Sequence, residues 1–338
     1  MDFDKVLKIS RFLDPFQDFS ESRRYSEVRR DPLTGHTTRI LDFPIREIAR
    51  TDVDSLIEES RPLCPFCPDV VKQVTPKFHP DLLCKERYSQ GDALCVPNVF
   101  PYDENGAVCV MTKEHYMPLP EFSMKIMTDA LKCCFEYLGD VVIRQPDMIY
   151  QSVNWNYMPL AGGSIVHPHL QITASSSSTN YYTDTLPALI RYSEEHGSDF
   201  WSDLCEEEIR LAQRCIAVTD TMTWLVAFAP LGVFDILGII HNAHTPGDIT
   251  DKTLADLAGG ILNVMRYIDS LNLGSLNMSL YFFLRDSVFT PHVRICPRVS
   301  IPPFDTSQIN YMKMLHNETL TTMKPEDICN GIKGFWDV

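Results

Sequence analysis

Apolar residues fall along the chain in two similar successions. In the first, Ala107-Val108-Cys109-Val110-Met111 is a short unbroken apolar run that predicts a buried strand. It ends at Lys113-Glu114-His115, and a proline-containing loop, Met117-Pro118-Leu119-Pro120, follows. Met127, Leu131, Cys134 and Leu138 then recur at steps of three and four, which is one face of a helix. A strand-like stretch over 148–155, the turn Gly162-Gly163-Ser164 and a strand over 165–173 complete the unit. The second succession repeats this order. Ile236-Leu237-Gly238-Ile239-Ile240 is the apolar strand, ending at Asn242-Ala243-His244, with a loop containing Pro246 and Gly247. Leu254, Leu257, Ile261, Val264 and Ile268 mark the helix, and strands over 276–284 and 289–296 close the unit.

His115 and His167 are 52 residues apart, and His244 and His292 are 48 apart. Matching order and matching spacing point to an internal duplication of a strand–helix–strand–strand unit. The predicted class is α+β, with two tandem units of antiparallel sheet and packed helices. The first unit is placed at residues 1–180 and the second at 181–338. Residues 174–200, with serines at 175–178, read as the linker. Residues 1–30 give no clear pattern. Asp31-Pro32-Leu33-Thr34-Gly35 has turn chemistry and precedes a strand over 37–41. A short helix over 51–59 is expected, capped by Thr51 or Asp52.

The stretch over 165–173 carries the densest chemistry. Side chains alternate across a strand, so Ile165, His167, His169 and Gln171 share one face and Val166, Pro168, Leu170 and Ile172 the other. The second face belongs to a core. The first is a polar row able to act on one ligand. A tolerated solvent face explains any one of these histidines; two histidines and a glutamine in alternation are harder to explain that way. Pro168 has no N–H for a ladder, which predicts an edge position or an opening onto a cleft. Gly162 and Gly163 let backbone amides approach a phosphate, and Ser164 adds a hydroxyl.

Composition narrows the setting. The chain has 338 residues and a net charge of −15, which disfavours nucleic acid and anionic membranes as partners but leaves small phosphorylated ligands open. No stretch approaches the roughly 20 apolar residues of a membrane span. Eleven cysteines, an odd number spread along the chain, are not a secreted disulfide framework and suit a reducing cytoplasm. Cys64-Pro65-Phe66-Cys67 is half of a zinc site or a redox motif. The redox reading wants an apolar strand before it and a helix after it, whereas Glu58-Glu59-Ser60-Arg61-Pro62 precedes it and Pro68-Asp69 follows.

His167-Pro168-His169-Leu170-Gln171 resembles the active-site signature of the galactose-1-phosphate uridylyltransferase-like family of the histidine-triad superfamily. The resemblance implies two histidine-triad-like units, the first catalytic and the second degenerate. It implies that His169 attacks the α-phosphorus of a nucleotide, forms a covalent nucleotidyl-histidine and passes the group to a phosphorylated acceptor. Gln171 would hydrogen-bond the phosphoryl oxygens, where related hydrolases place a third histidine; this favours transfer over hydrolysis. Ser164 and Gly163 would lie at the phosphates. Arg29-Arg30-Asp31-Pro32-Leu33-Thr34-Gly35 is similar to the family's N-terminal hairpin, whose arginine approaches phosphate. Asn98 and Phe100, in Pro97-Asn98-Val99-Phe100-Pro101, would hold the nucleobase. Asn156, or else Asn154, would stand near the phosphates. Cys64, Cys67, His115 and His167 would form a closed tetrahedral zinc site. A homodimer is implied as well.

The second unit departs from the pattern. His292-Val293-Arg294-Ile295-Cys296 aligns with the first histidine strand if His292 matches His167, so that Arg294 replaces the nucleophile and Cys296 replaces Gln171. That unit is expected to be catalytically silent. Leu170, where a glycine is more usual, points to the core face. The leading expectation is therefore transfer of UMP or AMP between a nucleotide sugar and a phosphorylated acceptor. The alternatives are a nucleotide-sugar or dinucleotide phosphorylase or hydrolase, and a zinc-stabilised nucleotide-binding protein without turnover.

Overall fold

The computed structural model describes residues 1–43, 50, 52–285, 288–301 and 306–336. The chain opens with two long strands, β1 (Lys5–Asp14) and β2 (Ser20–Arg30), paired antiparallel, followed by β3 (Thr37–Leu41). Then come α1 (Asp54–Ser60), α2 (Val71–Val74), β4 (Tyr88–Gln90), β5 (Ala93–Pro97) and β6 (Asn105–Val110). The first unit ends with α3 (Met124–Arg144), β7 (Tyr150–Tyr157) and β8 (His169–Ser175). Two helices follow, α4 (Asn180–His196) and α5 (Phe200–Leu211). The second unit is β9 (Cys215–Val218), β10 (Met222–Val226), β11 (Ile236–Ile240), α6 (Asp251–Ser270), β12 (Leu276–Phe283) and β13 (His292–Pro297). Short elements close the chain: β14 (Ser300–Ile301), β15 (Thr306–Ser307), α7 (Tyr311–His316), β16 (Thr319–Thr321) and α8 (Pro325–Ile332).

Ten strands form one sheet in the order β4-β5-β6-β8-β7-β12-β13-β11-β10-β9. The order β5-β6-β8-β7 in the first unit is repeated as β10-β11-β13-β12 in the second, and the two copies meet along the β7–β12 pair. The architecture is therefore the α+β, two-unit arrangement predicted by the duplicated hydrophobic pattern. The main core runs through both units, with Met127, Leu131 and Leu138 of α3 beside Leu257, Ile261 and Val264 of α6. Both helices start on a side-chain cap: Ser123 accepts from the amide of Ile126, and Thr250 from that of Thr253. Helix α6 approaches the sheet closely because Gly260 has no side chain. A Cβ there would lie 2.0 Å from the Trp224 ring.

The opposite sheet face is covered unequally. Over the second unit, α4 and α5 pack Tyr182, Leu189, Phe200 and Trp201 onto Leu225, Leu237 and Ile239. Over the first, a smaller cluster sets Cys64, Phe66 and Val71 against Val96, Val108 and Val110.

Several expectations change. The linker expected over 174–200 is helical from Asn180, because Tyr182, Ala188 and Leu189 give it an apolar face to bury. The strand expected over 165–173 begins only at His169. Pro168 lies before its first residue and supplies its carbonyl to the amide of Met111, so the proline neither interrupts the ladder nor marks an edge. Strand β8 is internal, between β6 and β7. The short helix starts at Asp54 with no side-chain cap, while Asp52 accepts from the Asp54 amide; Thr51 lies outside the described residues.

Candidate active site and metal centre

Register builds the site. Gln171 pairs with Asn154, Asn154 with Ser279, and Ser279 with Arg294. Two residues along, the pairing of β7 with β8 has ended, but Asn156 still pairs with Asn277 and Asn277 with Cys296, while His169 lies two residues before Gln171 on the same face of β8. Residues directly opposite one another share a face. A band of polar side chains therefore crosses the sheet from His169 and Gln171 into the second unit. The other face of β8, Leu170 and Ile172, is fully buried in the core under α3, as the alternation predicted.

His169 is 5% exposed. Its Nδ1 lies 2.7 Å from the carbonyl oxygen of His167, so Nδ1 carries the proton and donates, and Nε2 keeps its lone pair. Burial lowers the His169 pKa, against the opposing pull of that carbonyl. The ring is neutral at pH 7, the state a nucleophile needs. Among the described residues, neither Nε2 of His169 nor the side-chain amide of Gln171 has a hydrogen-bond partner. Phe66 packs over the ring with centroids 5.3 Å apart. Sequence reasoning passed over Phe66, although its place between the two cysteines was the available signal.

Asn156 accepts from Asn277 across the unit boundary at 2.7 Å, and Asn154 donates to the Gln171 carbonyl and accepts from Ser279. Both asparagines are thus on the band. Gly163 passes so close to Asn156 that a Cβ would meet its carbonyl at 2.5 Å, which requires glycine. Ser164 follows on an exposed turn. Asn98 uses its Oδ1 to accept from the Phe100 amide, and Phe100 is 82% exposed on the loop after β5.

Cys64, Cys67, His115 and His167 converge, with all four ligand atoms within 4.8 Å of one another. Cys64 Sγ is 3.6 Å from His167 Nδ1, and Cys67 Sγ is 3.5 Å from His115 Nδ1. These are edge lengths of a tetrahedron around an ion with bonds of about 2.0–2.3 Å. Outer partners fix both rings. His167 Nε2 donates to the Thr112 carbonyl at 2.8 Å, and His115 Nε2 faces Ser60 Oγ at 3.0 Å, which turns each Nδ1 inward. Burial pushes His167 down to about 4 and the Cys64 thiol up to about 11. The donor set of two sulfurs and two neutral imidazoles fits a metal ion.

The N-terminal arginines are not brought to this site. Arg29 is 1% exposed and paired with Glu27 and Glu326, and its guanidinium stacks on Phe228. Arg30 is exposed and donates to Asp4 and the Gly35 carbonyl. The β2–β3 hairpin packs on the second unit, through Thr38 to the Pro230 carbonyl, so the expectation that these arginines approach phosphate at His169 is corrected. A cavity of about 530 Å3 lies where this hairpin meets the second unit, lined by His36, Trp201, Phe228, Leu237 and Arg294.

The alignment of His292 with His167 is corrected as well. The amide of Met111 donates to Pro168 and that of Ile240 to Pro291, so Pro291-His292 superposes in role on Pro168-His169. His292 thus matches His169, and Arg294 matches Gln171. Arg294 is held by Asp235, which is fully buried.

No protein-family model matches the sequence. A protein of Archaeoglobus fulgidus described as uncharacterized is 32% identical over 313 residues, covering 92% of each chain. Among solved structures, the chain is similar to an ADP-glucose phosphorylase from Arabidopsis thaliana with bound ADP-glucose. The TM-score is 0.69 at 16% identity, over 91% of this chain and 98% of that one. A galactose-1-phosphate uridylyltransferase-like protein of Arabidopsis thaliana gives 0.68 at 18% identity, over 90% and 98%. A uridylyltransferase gives 0.67 at 19% identity, over 92% and 98%. At these identities the likeness is one of fold.

Proposed function

The chain belongs to one family with the Archaeoglobus fulgidus protein and has the fold of the uridylyltransferase-like structures, and from that premise we propose that it is a nucleotidyltransferase carrying a nucleoside monophosphate on His169. The observation that carries this reading is the His169 ring. Its Nδ1–H is spent on the His167 carbonyl, which leaves the Nε2 lone pair available on the strand face that also carries Gln171. Nε2 attacks the α-phosphorus, the bond from phosphorus to the bridging oxygen breaks, and a sugar phosphate departs with the electron pair. An acceptor phosphate oxygen then attacks the same phosphorus and Nε2 leaves, restoring the neutral ring. Gln171 and Asn156, with Gly163 and Ser164 on the adjoining turn, serve the developing charge. Asn98 and Phe100 serve the base.

The donors are UDP- or ADP-sugars or dinucleotides. The solved neighbour named as an ADP-glucose phosphorylase supports inorganic phosphate as an acceptor of the same nucleotidyl-histidine. Zinc is the ion that two cysteines and two histidines would hold. It would clamp the turn whose His167 carbonyl orients His169. Residues 1–180 would form the catalytic unit and 181–338 the degenerate one. Exposed Val6, Leu7, Ile9 and Leu13 on β1 support a homodimer, and the eleven scattered cysteines a cytoplasmic setting.

Intact-protein mass after brief exposure to UDP-, ADP- and GDP-sugars and dinucleotides tests the reading. An acid-labile gain of one nucleoside monophosphate is expected, and His169→Ala should lack it. Nucleotide binding with no adduct from any donor would replace transferase with binding protein. Product analysis with and without phosphate separates transfer from phosphorolysis.

A further inference from the structure

The polar band that begins at His169 runs into a second, smaller cavity. From Asn156 it passes to Asn277, which donates to Asn156 and to the Ala161 carbonyl. Asn277 also lines a cavity of about 130 Å3 with Cys296, Arg298, Gln308, Lys313 and Thr319.

The lining is rich in donors, and none of its described residues is acidic. Arg298 reaches Asn277 Oδ1 from Nη1 at a long 3.5 Å, and its Nε is buried without a partner. Lys313 donates to Thr319 Oγ1 at 3.2 Å. Gln308 spends its carbonyl oxygen on the Val299 amide, which leaves its NH2 to donate. Neither cation forms an ion pair among the described residues, in a chain with 45 acidic and 30 basic side chains. Burial lowers the pKa of both, and the nearby Cys296 thiol and Asp235 carboxylate, which favour the charged form of Lys313, with Cys296 also favouring that of Arg298, do not outweigh it, so holding them charged still has a cost. An oxyanion in the cavity would offset it through charge-assisted hydrogen bonds from Arg298 and Lys313.

Distance decides which anion. Strand β7 lies between β8, which carries His169, and β12, which carries Asn277, so two inter-strand spacings, about 10 Å, separate the two strands. The phosphate that reacts at His169 must lie within bonding reach of Nε2, so it is not the group that fills this cavity. We propose that the cavity is an anion subsite for a second acidic group, a phosphate or a carboxylate, at the far end of the sugar-phosphate substrate. The place of the subsite in the reaction rests on the His169 reading; its capacity to bind an anion does not.

The test has two arms. In the first, equilibrium dialysis with radiolabelled inorganic phosphate compares the wild-type chain with Arg298→Met, Lys313→Met, Arg298→Lys and His169→Ala. Binding is expected to weaken at least tenfold in the two methionine variants, to return in part in Arg298→Lys, and to persist in His169→Ala. Binding unchanged in Arg298→Met and Lys313→Met overturns the subsite. In the second, the nucleotidylated protein is discharged by glucose 1-phosphate, glucose 1,6-bisphosphate or glucuronic acid 1-phosphate. At least one of the doubly acidic acceptors should half-saturate at a concentration at least tenfold lower, and which one does so separates phosphate from carboxylate. Arg298→Met should erase that preference while discharge by glucose 1-phosphate is retained. Equal use of all three acceptors, or a preference that survives in Arg298→Met, overturns the proposal. If the wild-type chain acquires no adduct, the transferase reading fails, and the dialysis arm alone decides the subsite.

Discussion

His292 holds in the second unit the orientation that His169 holds in the first: each ring turns Nδ1 to the carbonyl two residues back, at 2.8 Å on Thr290 and 2.7 Å on His167. What differs is the free side of the ring. Tyr181 of α4 hydrogen-bonds His292 Nε2, and Trp201 of α5 lies 4.2 Å away between centroids, with Tyr281 and Phe289 close by. The helices between the two units thus close the free side of the second histidine, the side that the proposed reaction uses on the first.

One prediction follows directly. His169→Ala should abolish the nucleotidyl adduct and leave thermal stability near that of the wild type. His292→Ala should keep the adduct and lose about 2–4 kcal/mol of stability, because it empties a fully buried aromatic cage. Intact mass and denaturant unfolding on both variants check it. An adduct lost in His292→Ala at unchanged stability would reverse the assignment of the two units.

The duplicated unit was legible because apolar periodicity is local: the strand 107–111, the helix face Met127-Leu131-Cys134-Leu138 and their later counterparts stand as read. The core side of Leu170 was legible for the same reason, whereas of the four metal-type ligands only the Cys64 and Cys67 pair is a local pattern, and His115 and His167 are assigned through the family resemblance. Register across the repeat was not legible. Histidine spacing alone matched His292 to His167, and only the carbonyls of Pro168 and Pro291 fix the two-residue difference. Nor was the fate of Arg29. Its partner Glu326 lies 297 residues away, and no local pattern encodes a contact at that range. The ribbon of β1 and β2 was missed because exposed residues dominate both strands, so neither shows a one-sided apolar alternation.

Glu326 makes stability depend on acid pH. Burial opposes its ionisation, but hydrogen bonds and charge from Arg29, and then from Arg214, outweigh that and hold the carboxyl down at about 2. The folded pKa is below the unfolded one, near 4.5, so the unfolded chain binds the proton first. The contribution is complete above pH 4.5 and is lost as pH falls through about 2. Glu326→Gln should cost about 3 kcal/mol at pH 7, since it strips a carboxylate from two buried arginines that each keep one other. Its Tm should also fall less steeply than that of the wild type between pH 4.5 and pH 2. Parallel Tm profiles in that window would contradict this account.

Gly260 is a test of packing alone. Trp224 is fully buried, and a Cβ on Gly260 would meet its ring at 2.0–2.7 Å, far inside contact distance. Alanine has the better helix propensity by about 1 kcal/mol, so propensity predicts that Gly260→Ala stabilises. Overpacking predicts a loss of about 1–3 kcal/mol or more, and the overlap here makes it the larger effect. Gly259→Ala, whose Cβ would come no nearer than 4.0 Å to Met124, should be neutral or stabilising. Urea unfolding of the pair measures both, and equal effects would mean that the α6–β10 contact yields easily.

His167, one of the four metal-type ligands, and His169, the proposed nucleophile, are two residues apart, and this makes a sharper prediction than loss of activity. Phe66, between Cys64 and Cys67, rests on the His169 ring, and the His167 carbonyl holds its Nδ1. Zinc should be found at one ion per chain, and Cys67→Ser should lower that content. Without the ion, Cys64 and His167 lose the centre that draws them together, and Phe66 and the His167 carbonyl lose their fixed positions. Adduct formation should then slow by about tenfold or more, in line with the loss of an outer partner at other metal sites, while Nε2 remains a competent nucleophile. Phe66→Ala separates the two effects: it should keep the zinc and still slow labelling, since it removes only the cover on the ring. Zinc content by atomic emission, Tm and the rate of mass gain, taken on the same three proteins, decide it. Full zinc in Cys67→Ser would place the ion elsewhere, and unchanged labelling in a zinc-free chain would show that His169 is held by the protein alone.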